Sequence, residues 1–244
     1  MRHEIATTKE LKMLIGGVED LINRPYGVDG CGVLSGDPGV GKTTGIAYVA
    51  NKYDAIYIRA MATWTVTSML GELCKELGGH RMCRRSDMVD YICRVMGEKP
   101  RPIFIDEADY LFRHIDMMDS IRDIYDTSGS PVVLIGMEEM ARKIQQHGRF
   151  ARRITQWMEF TGLDLEDLKL VAKTRCEVGV KDDLMEYLFA EGQGNVGRSI
   201  VGLSRIETFA KSNGLTSVDR ATWGNRPLFY DQPVFGKGRK RSIA

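Results

Sequence analysis

"GDPGVGKTT", residues 36 to 44, decides how the rest of the chain is read. Its pattern, G-x-x-x-x-G-K-[ST], sets Gly36, Gly39 and Gly41 among Asp37, Pro38 and Val40, just ahead of Lys42, Thr43 and Thr44. Glycines let the backbone curl until successive N–H groups point at one phosphate, and a helix starting there adds the positive end of its dipole. The flanks agree with that use. "GVLS" is a short apolar run of strand type, and "TTGIAYVANKY" continues as a helix. A glycine-rich turn that merely contained a lysine would lack this order. In this setting Lys42 reaches the β- and γ-phosphates of a nucleotide, and the Thr43 hydroxyl joins Mg²⁺.

"PIFIDEAD", residues 102 to 109, supplies the partner. A hydrophobic strand delivers Asp106 to its C-terminal end, where a carboxylate holds a magnesium-bound water, and Glu107 polarises the attacking water. The same letters, D-E-A-D, occur in RNA helicases, but those need two such domains and this chain is too short for them.

Around these two motifs the apolar pattern alternates. The stretches "CGVLSG", "AIYI" (55 to 58), "PIFID" (102 to 106), "VVLIG" (132 to 136) and "WMEF" (157 to 160) read as short buried strands. Leu11, Leu14, Ile15, Val18, Leu21 and Ile22 have helical spacing over 9 to 23. So do Val66, Met69, Leu70, Leu73 and Leu77, and then Met88, Val89, Ile92, Val95 and Met96 with Ser86 placed to cap. This alternation predicts an α/β fold with a parallel sheet covered by helices. After about residue 162 the strand signals stop, and three or four short helices follow. The predicted organisation is an α/β nucleotide-binding domain over 1–162, a small helical lid domain over 163–224, and an extended basic tail over 225–244 with Pro227, Pro233 and "KGRKR".

Composition limits the alternatives. A chain of 244 residues that is 43% hydrophobic buries one good core, with room for a small appended domain. No apolar run approaches the ~20 residues of a membrane span, and "MRHEIATTKELK" has no secretory h-region, so the expectation is a cytoplasmic protein with no membrane partner. Five cysteines without C-x-x-C suggest buried thiols rather than disulfides or zinc, and the four histidines stand singly. Net charge is only +1, so any argument for nucleic acid rests on local patches. One is "GRFARRI", residues 148 to 154, with Arg149, Arg152 and Arg153.

The ordered series of phosphate loop, Asp-Glu strand, third strand, post-strand arginines and an arginine in "GNVGRSI" resembles the AAA+ ATPases over roughly residues 10 to 223. The N-terminal helix running into the loop, "TSMLGELCKELGG" and "VVLIGMEEMARKI" are similar to the DNA-transposition ATPases, the regulators typified by the B protein of phage Mu and by TnsC and TniB. Origin-recognition and helicase-loader ATPases share much of the pattern, usually with an additional domain. The resemblance implies ATP as the nucleotide. It also implies a ring or helical filament of identical subunits on double-stranded DNA, and recruitment of a transposase, with a target-selection protein as a further partner, in a bacterial or bacteriophage setting. It further implies that Arg152 or Arg153, with Arg149 a substitute, reaches the neighbouring subunit's γ-phosphate, a role worth ~10³-fold or more in rate. Arg198 matches the lid residue that senses nucleotide within its own subunit. A solvated helix end whose arginines answer the helix dipole is the plainer alternative for "GRFARRI".

One departure stands out. The third strand ends in Gly136 and Met137, where such ATPases carry a polar residue that orients the attacking water, and weak basal turnover that rises on meeting a partner is the expected consequence. The resemblance also implies DNA contacts after the second strand. Arg59 and Lys75 would reach phosphates, Thr63, Thr65 and Thr67 would donate hydroxyl hydrogen bonds, and Trp64 would pack against sugar or else lie in the core. Arg81, Arg84 and Arg85 in "HRMCRRS" add positive charge or are simply solvated. The tail binds DNA, docks an acidic partner, or is inert. Rival expectations are a helicase loader or replication-initiation ATPase, and a nucleotide-switched scaffold with negligible turnover.

Overall fold

The computed structural model describes residues 1–146 and 148–230. His147 and the basic stretch 237–241 of the tail lie outside them. The chain begins with helix α1 (Lys9–Ile22), capped where the Thr8 hydroxyl accepts from Leu11 N–H, and its Leu11, Leu14, Val18 and Leu21 are buried. There follow β1 (Cys31–Gly36), α2 (Lys42–Lys52), β2 (Ile56–Arg59), α3 (Val66–Glu76), α4 (Arg85–Glu98) and β3 (Ile103–Asp106). A 3₁₀ turn (Ala108–Arg113) leads to α5 (Ile115–Ser128), β4 (Val132–Ile135), α6 (Glu138–Gln146), α7 (Gly148–Ala151) and β5 (Ile154–Phe160). The last part holds α8 (Leu165–Arg175), β6 (Gly179–Val180), α9 (Asp182–Gly192), α10 (Val196–Ser212), β7 (Ser217–Val218) and α11 (Arg220–Trp223).

The five long strands form one parallel sheet in the order β2-β3-β4-β1-β5. Because β4 lies between β1 and β3, the loop after β1 and the end of β3 open on the same C-terminal edge, where a parallel sheet binds ligands. Alternate residues serve opposite faces: Val33, Ile105 and Leu134 join a core with α3, α4 and α5, while Leu34, Phe104 and Val133 join another with α1 and α2. This is the expected α/β sheet covered by helices and followed by a helical lid. The lid helices bury their own cluster, including Leu168, Leu184, Leu188, Leu203, Ile206 and Trp223.

Several local expectations are corrected. β5 starts at Ile154 rather than at Trp157, because the edge strand exposes Thr155, Trp157 and Glu159 on one side and the apolar signal there is only half of the strand. The lid contains a two-residue parallel pair, Gly179–Val180 with Ser217–Val218, too short to leave a periodic signal. Ser86 does not cap α4. The helix starts two residues earlier than such a cap would set it, at Arg85 with Arg84 at its N-cap, and the Ser86 hydroxyl donates instead to Asp87, 3.1 Å away. Of the cysteines, Cys31, Cys74 and Cys176 are buried, Cys93 is half-buried, and Cys83 is exposed. Residues 225–230 pack rather than trail: Leu228 is buried, and Trp223 Nε1 donates to Arg226 O at 2.8 Å.

Candidate functional site

The phosphate loop is built by backbone conformation. Gly39 (φ 85°) and Gly41 (φ 97°) adopt left-handed geometry that L side chains rarely take, and Gly41 is the N-cap of α2. Lys42 Nζ is folded back onto the loop, donating to Gly36 O at 2.6 Å and Asp37 O at 2.9 Å. Burial pushes its ammonium below the usual lysine range, against the pull of Asp106, Glu107, Asp109 and Asp37. Asp37, Pro38, Gly39, Thr43 and Thr44 are exposed, while Val40 turns into the core beneath α1. The loop therefore presents an open face of backbone N–H groups with one cation poised beside it.

β3 brings the acids. Asp106 is buried at 3% exposure, and its Oδ2 accepts from Thr43 Oγ1 at 3.1 Å and from Tyr57 Oη at 2.8 Å. Its Oδ1 takes the Glu107 N–H at 2.9 Å. Burial, then the bond to Asp106, raises Tyr57 above the usual phenol range, so it stays a donor to Asp106. A hydroxyl and a carboxylate side by side are the hard oxygen donors Mg²⁺ prefers, and few protein ligands suffice where phosphates supply others. The residues present fit that ion, although no cluster of three or more His, Cys, Asp or Glu among the described residues is arranged to hold a metal alone. Glu107 stands in the left-handed region (φ 54°, ψ 35°), uncommon for a side-chain-bearing residue, and its Oε1 meets Arg59 Nη2 at 3.1 Å.

A cleft of about 380 Å³ joins these groups, lined among others by Lys42, Thr43, Asp106, Glu107, Gly136 and Val196. The lid closes one side through α10. Asn195 caps that helix, its Oδ1 accepting from Arg198 N–H at 3.0 Å, while its Nδ2 donates to Pro38 O at 3.2 Å; Gly197 N–H donates to Gly39 O at 3.2 Å. Beside the loop lies a second, mainly apolar cavity walled by Ile5, Ala6, Val40, Gly41, Thr44 and Ile200.

The arginines separate. Arg153 grips Asp126 with two bonds of 2.7 and 2.8 Å and donates to Arg149 O at 3.0 Å. Arg152 and Arg149 are exposed, with no hydrogen bond or ion pair from their guanidinium groups among the described residues. Arg198 is turned from the loop, its guanidinium 4.3 Å over the Phe229 ring and donating to Glu191 O at 3.3 Å.

Of the residues expected to meet DNA, Thr65 is occupied as the N-cap of α3 in a capping box with Ser68. Lys75 pairs with Glu72 at 3.0 Å, Thr67 accepts from Arg85 at 2.9 Å, and Trp64 is half-buried against the core, its plainer alternative. Thr63, Arg81 and Arg84 are exposed. Thr65, Thr67, Lys75 and Arg81 share one groove with His80 and Ser68.

Sequence reading missed Tyr57, Asn195 and Asp109. Tyr57 hides within an apolar strand, but its position two residues before the strand's end was a usable signal, since residues there border the C-terminal edge.

A family model described as an AAA domain matches residues 26–144. That segment, which holds the phosphate loop and the β3 acids, is thus similar to AAA domains. No curated protein sequence matches the chain. Among solved structures, Cdc6p from Pyrobaculum aerophilum is similar at 17% identity with a TM-score of 0.64, covering 86% of this chain and 63% of that one. The Aeropyrum pernix ORC2 protein, in ADPNP–ADP complexes, is similar at 12% identity and a TM-score of 0.71, covering 89% and 68%. The Aeropyrum pernix ORC1 protein in complex with DNA matches at 15% identity and a TM-score of 0.61, covering 91% and 64%. These likenesses establish the fold, a parallel sheet covered by helices and followed by a helical lid; the chain spans 63% of the length of the Cdc6p structure. Among the described residues no helix is long and apolar enough to cross a membrane.

Proposed function

We propose that this chain is a cytoplasmic ATPase that binds MgATP in the cleft, assembles with copies of itself on double-stranded DNA without sequence preference, and marks that DNA for a transposase. The observation that carries the reading is the Arg59–Glu107 pair at 3.1 Å, which joins the edge strand of the expected DNA surface to the acid beside the phosphate loop. In this reading Lys42 neutralises the β- and γ-phosphates, and Thr43 and Asp106 hold Mg²⁺, which supplies charge neutralisation when bound. Glu107 takes the proton of the attacking water. The apolar cavity beside Gly41 and Thr44 accepts the base.

Arg59 is 61% exposed at its side chain and Glu107 34%. A DNA phosphate therefore competes for the guanidinium without opening the core, and taking it releases Glu107 toward water. Exposed Arg81 and Arg84 add further positive charge, and contacts of this kind to phosphates give affinity that falls steeply with salt. Arg152, exposed and unpaired among the described residues, is the better candidate to reach a neighbour's nucleotide, while Arg153 is committed to Asp126. Hydrolysis driven by assembly and by the transposase then leads to release.

A second reading, a helicase-loading or replication-initiation ATPase, is favoured by the likeness to an ORC1 protein solved with DNA. One experiment tests both: turnover of ATP by the purified chain, alone and with random-sequence duplex or single-stranded DNA. The transposition reading expects stimulation by duplex lost in Lys42→Ala. Stimulation by single strands alone would favour the loader, and no Lys42-dependent turnover under any condition would leave neither.

A further inference from the structure

The glycine that ends β4 has a steric cause. A Cβ at Gly136 would lie 2.3 Å from Asp109 Oδ2 and 2.7 Å from Met140 Sδ. Asp109 and a side chain at position 136 are therefore alternative occupants of one volume. The carboxylate is in use, because Oδ2 accepts the Met137 N–H at 3.0 Å, and Met137 O in turn accepts from Met140 N–H at 3.0 Å as α6 begins. On its other side Asp109 belongs to the turn that carries Glu107, whose C=O accepts from Tyr110 N–H at 3.1 Å. Glu107, Gly136 and Met137 line the nucleotide cleft together, and Lys42 feels the charge of Asp109.

What lies downstream of this junction is the arginine segment. α6 is held by buried Met140 and Ile144, α7 by buried Phe150, and the far end of α7 is fixed where Arg153 clamps Asp126. Between those anchors stand Arg149 and, just beyond α7, Arg152. A shift at the start of α6 is thus passed along a short helix pair held by buried Met140, Ile144 and Phe150 and tethered beyond α7 by the Arg153–Asp126 pair.

We propose that Asp109 is a positioning residue that ties the γ-phosphate end of the cleft to α6 and α7, so that the nucleotide in the cleft sets where Arg149 and Arg152 stand. The inference rests on the cleft being the ATP site. A γ-phosphate entering beside Glu107 displaces the turn, and the Asp109–Met137 bond moves the first turn of α6 with it. Oδ1 of Asp109 has no partner among the described residues, so the carboxylate follows the turn with one firm bond. A coupling carried by one charged hydrogen bond is the kind of discrete link that two sites share.

Amide hydrogen exchange of α6 and α7, with magnesium and either a slowly hydrolysed ATP analogue or ADP, tests the link without needing turnover. Analogue affinity and thermal midpoint are measured on the same samples. In wild type the two nucleotides differ in protection across 138–151 by about fivefold or more. Asp109→Ala abolishes that difference while analogue affinity stays within about threefold and the midpoint falls by about 6 °C or less, and Asp109→Asn, which keeps an acceptor, retains part of it. A wild-type difference persisting in Asp109→Ala overturns the proposal, as does a wild type that binds the analogue and shows no difference. Loss of analogue binding in Asp109→Ala also overturns it, assigning the residue to structure. Failure of wild type to bind the analogue in a Lys42-dependent way sinks the ATP-site reading itself, and the link with it.

Discussion

Replacing Arg59 with alanine removes the guanidinium that holds Glu107 Oε1 at 3.1 Å. Both side chains reach solvent, 61% and 34% exposed, so the pair works in high dielectric and its loss costs less than about 1 kcal/mol of stability. The thermal midpoint should then fall by no more than about 4 °C. The consequence for chemistry is larger in kind. With the pair intact, Glu107 must leave Arg59 before it takes a proton from water, and an obstacle of up to about 1 kcal/mol corresponds to about fivefold in rate. Arg59→Ala therefore raises basal turnover by up to about that factor, and duplex DNA no longer stimulates it, because the group that DNA would capture is gone. Arg59→Lys keeps a charge but not the planar fork, and lies between the two. The assay is steady-state phosphate release at saturating MgATP, with and without random-sequence duplex, beside an ATP-binding titration. Turnover that stays at the wild-type basal rate and is still stimulated by DNA refutes the reasoning. So does turnover that falls in step with ATP affinity, which would make Arg59 part of the nucleotide site.

Other substitutions probe separate parts. Lys42→Ala should abolish binding of a fluorescent ATP analogue and assembly on DNA, whereas Glu107→Gln should bind ATP, lose about 10²-fold or more in turnover, and stay on the DNA. Arg152→Ala should keep ATP affinity and lose assembly-dependent turnover, part of which returns when its subunits are mixed with Glu107→Gln subunits; Arg153→Ala should instead lower the thermal midpoint by breaking its grip on Asp126, at about 1 kcal/mol. Gly36→Ala would set a Cβ 2.2 Å from the Phe160 carbonyl oxygen, a backbone atom with nowhere to move, and should cost at least ~2 kcal/mol in denaturant unfolding.

The parts legible in the sequence were those whose chemistry is local. The phosphate loop runs directly into α2 and the two β3 acids are neighbours in sequence, each a local signal, and the structure sets Thr43 and Asp106 3.1 Å apart although they are 63 residues distant. The sheet was legible because its inner strands are apolar throughout; β5 was half-legible because an edge strand shows that signal on one side only. What could not be read was whatever depends on a partner brought by the fold. Nothing in "RAMATWTVT" says that Arg59 faces Glu107 or that Thr65 spends its hydroxyl on a helix cap. Nor did "FARRI" distinguish Arg153, paired with Asp126, from Arg152, which has no such partner among the described residues. The missing polar residue at the end of β4 was a true observation with an unseen cause, since Asp109 fills the space that a side chain at 136 would need.

The central claim, ATP-dependent assembly on duplex DNA, is tested most directly by negative-stain electron microscopy of the purified chain with a long random-sequence duplex, in ATP, in ADP and without nucleotide, with Lys42→Ala alongside. The account predicts filaments or stacked rings along the duplex in ATP alone, absent in Lys42→Ala. Discrete particles indifferent to duplex and nucleotide would contradict it.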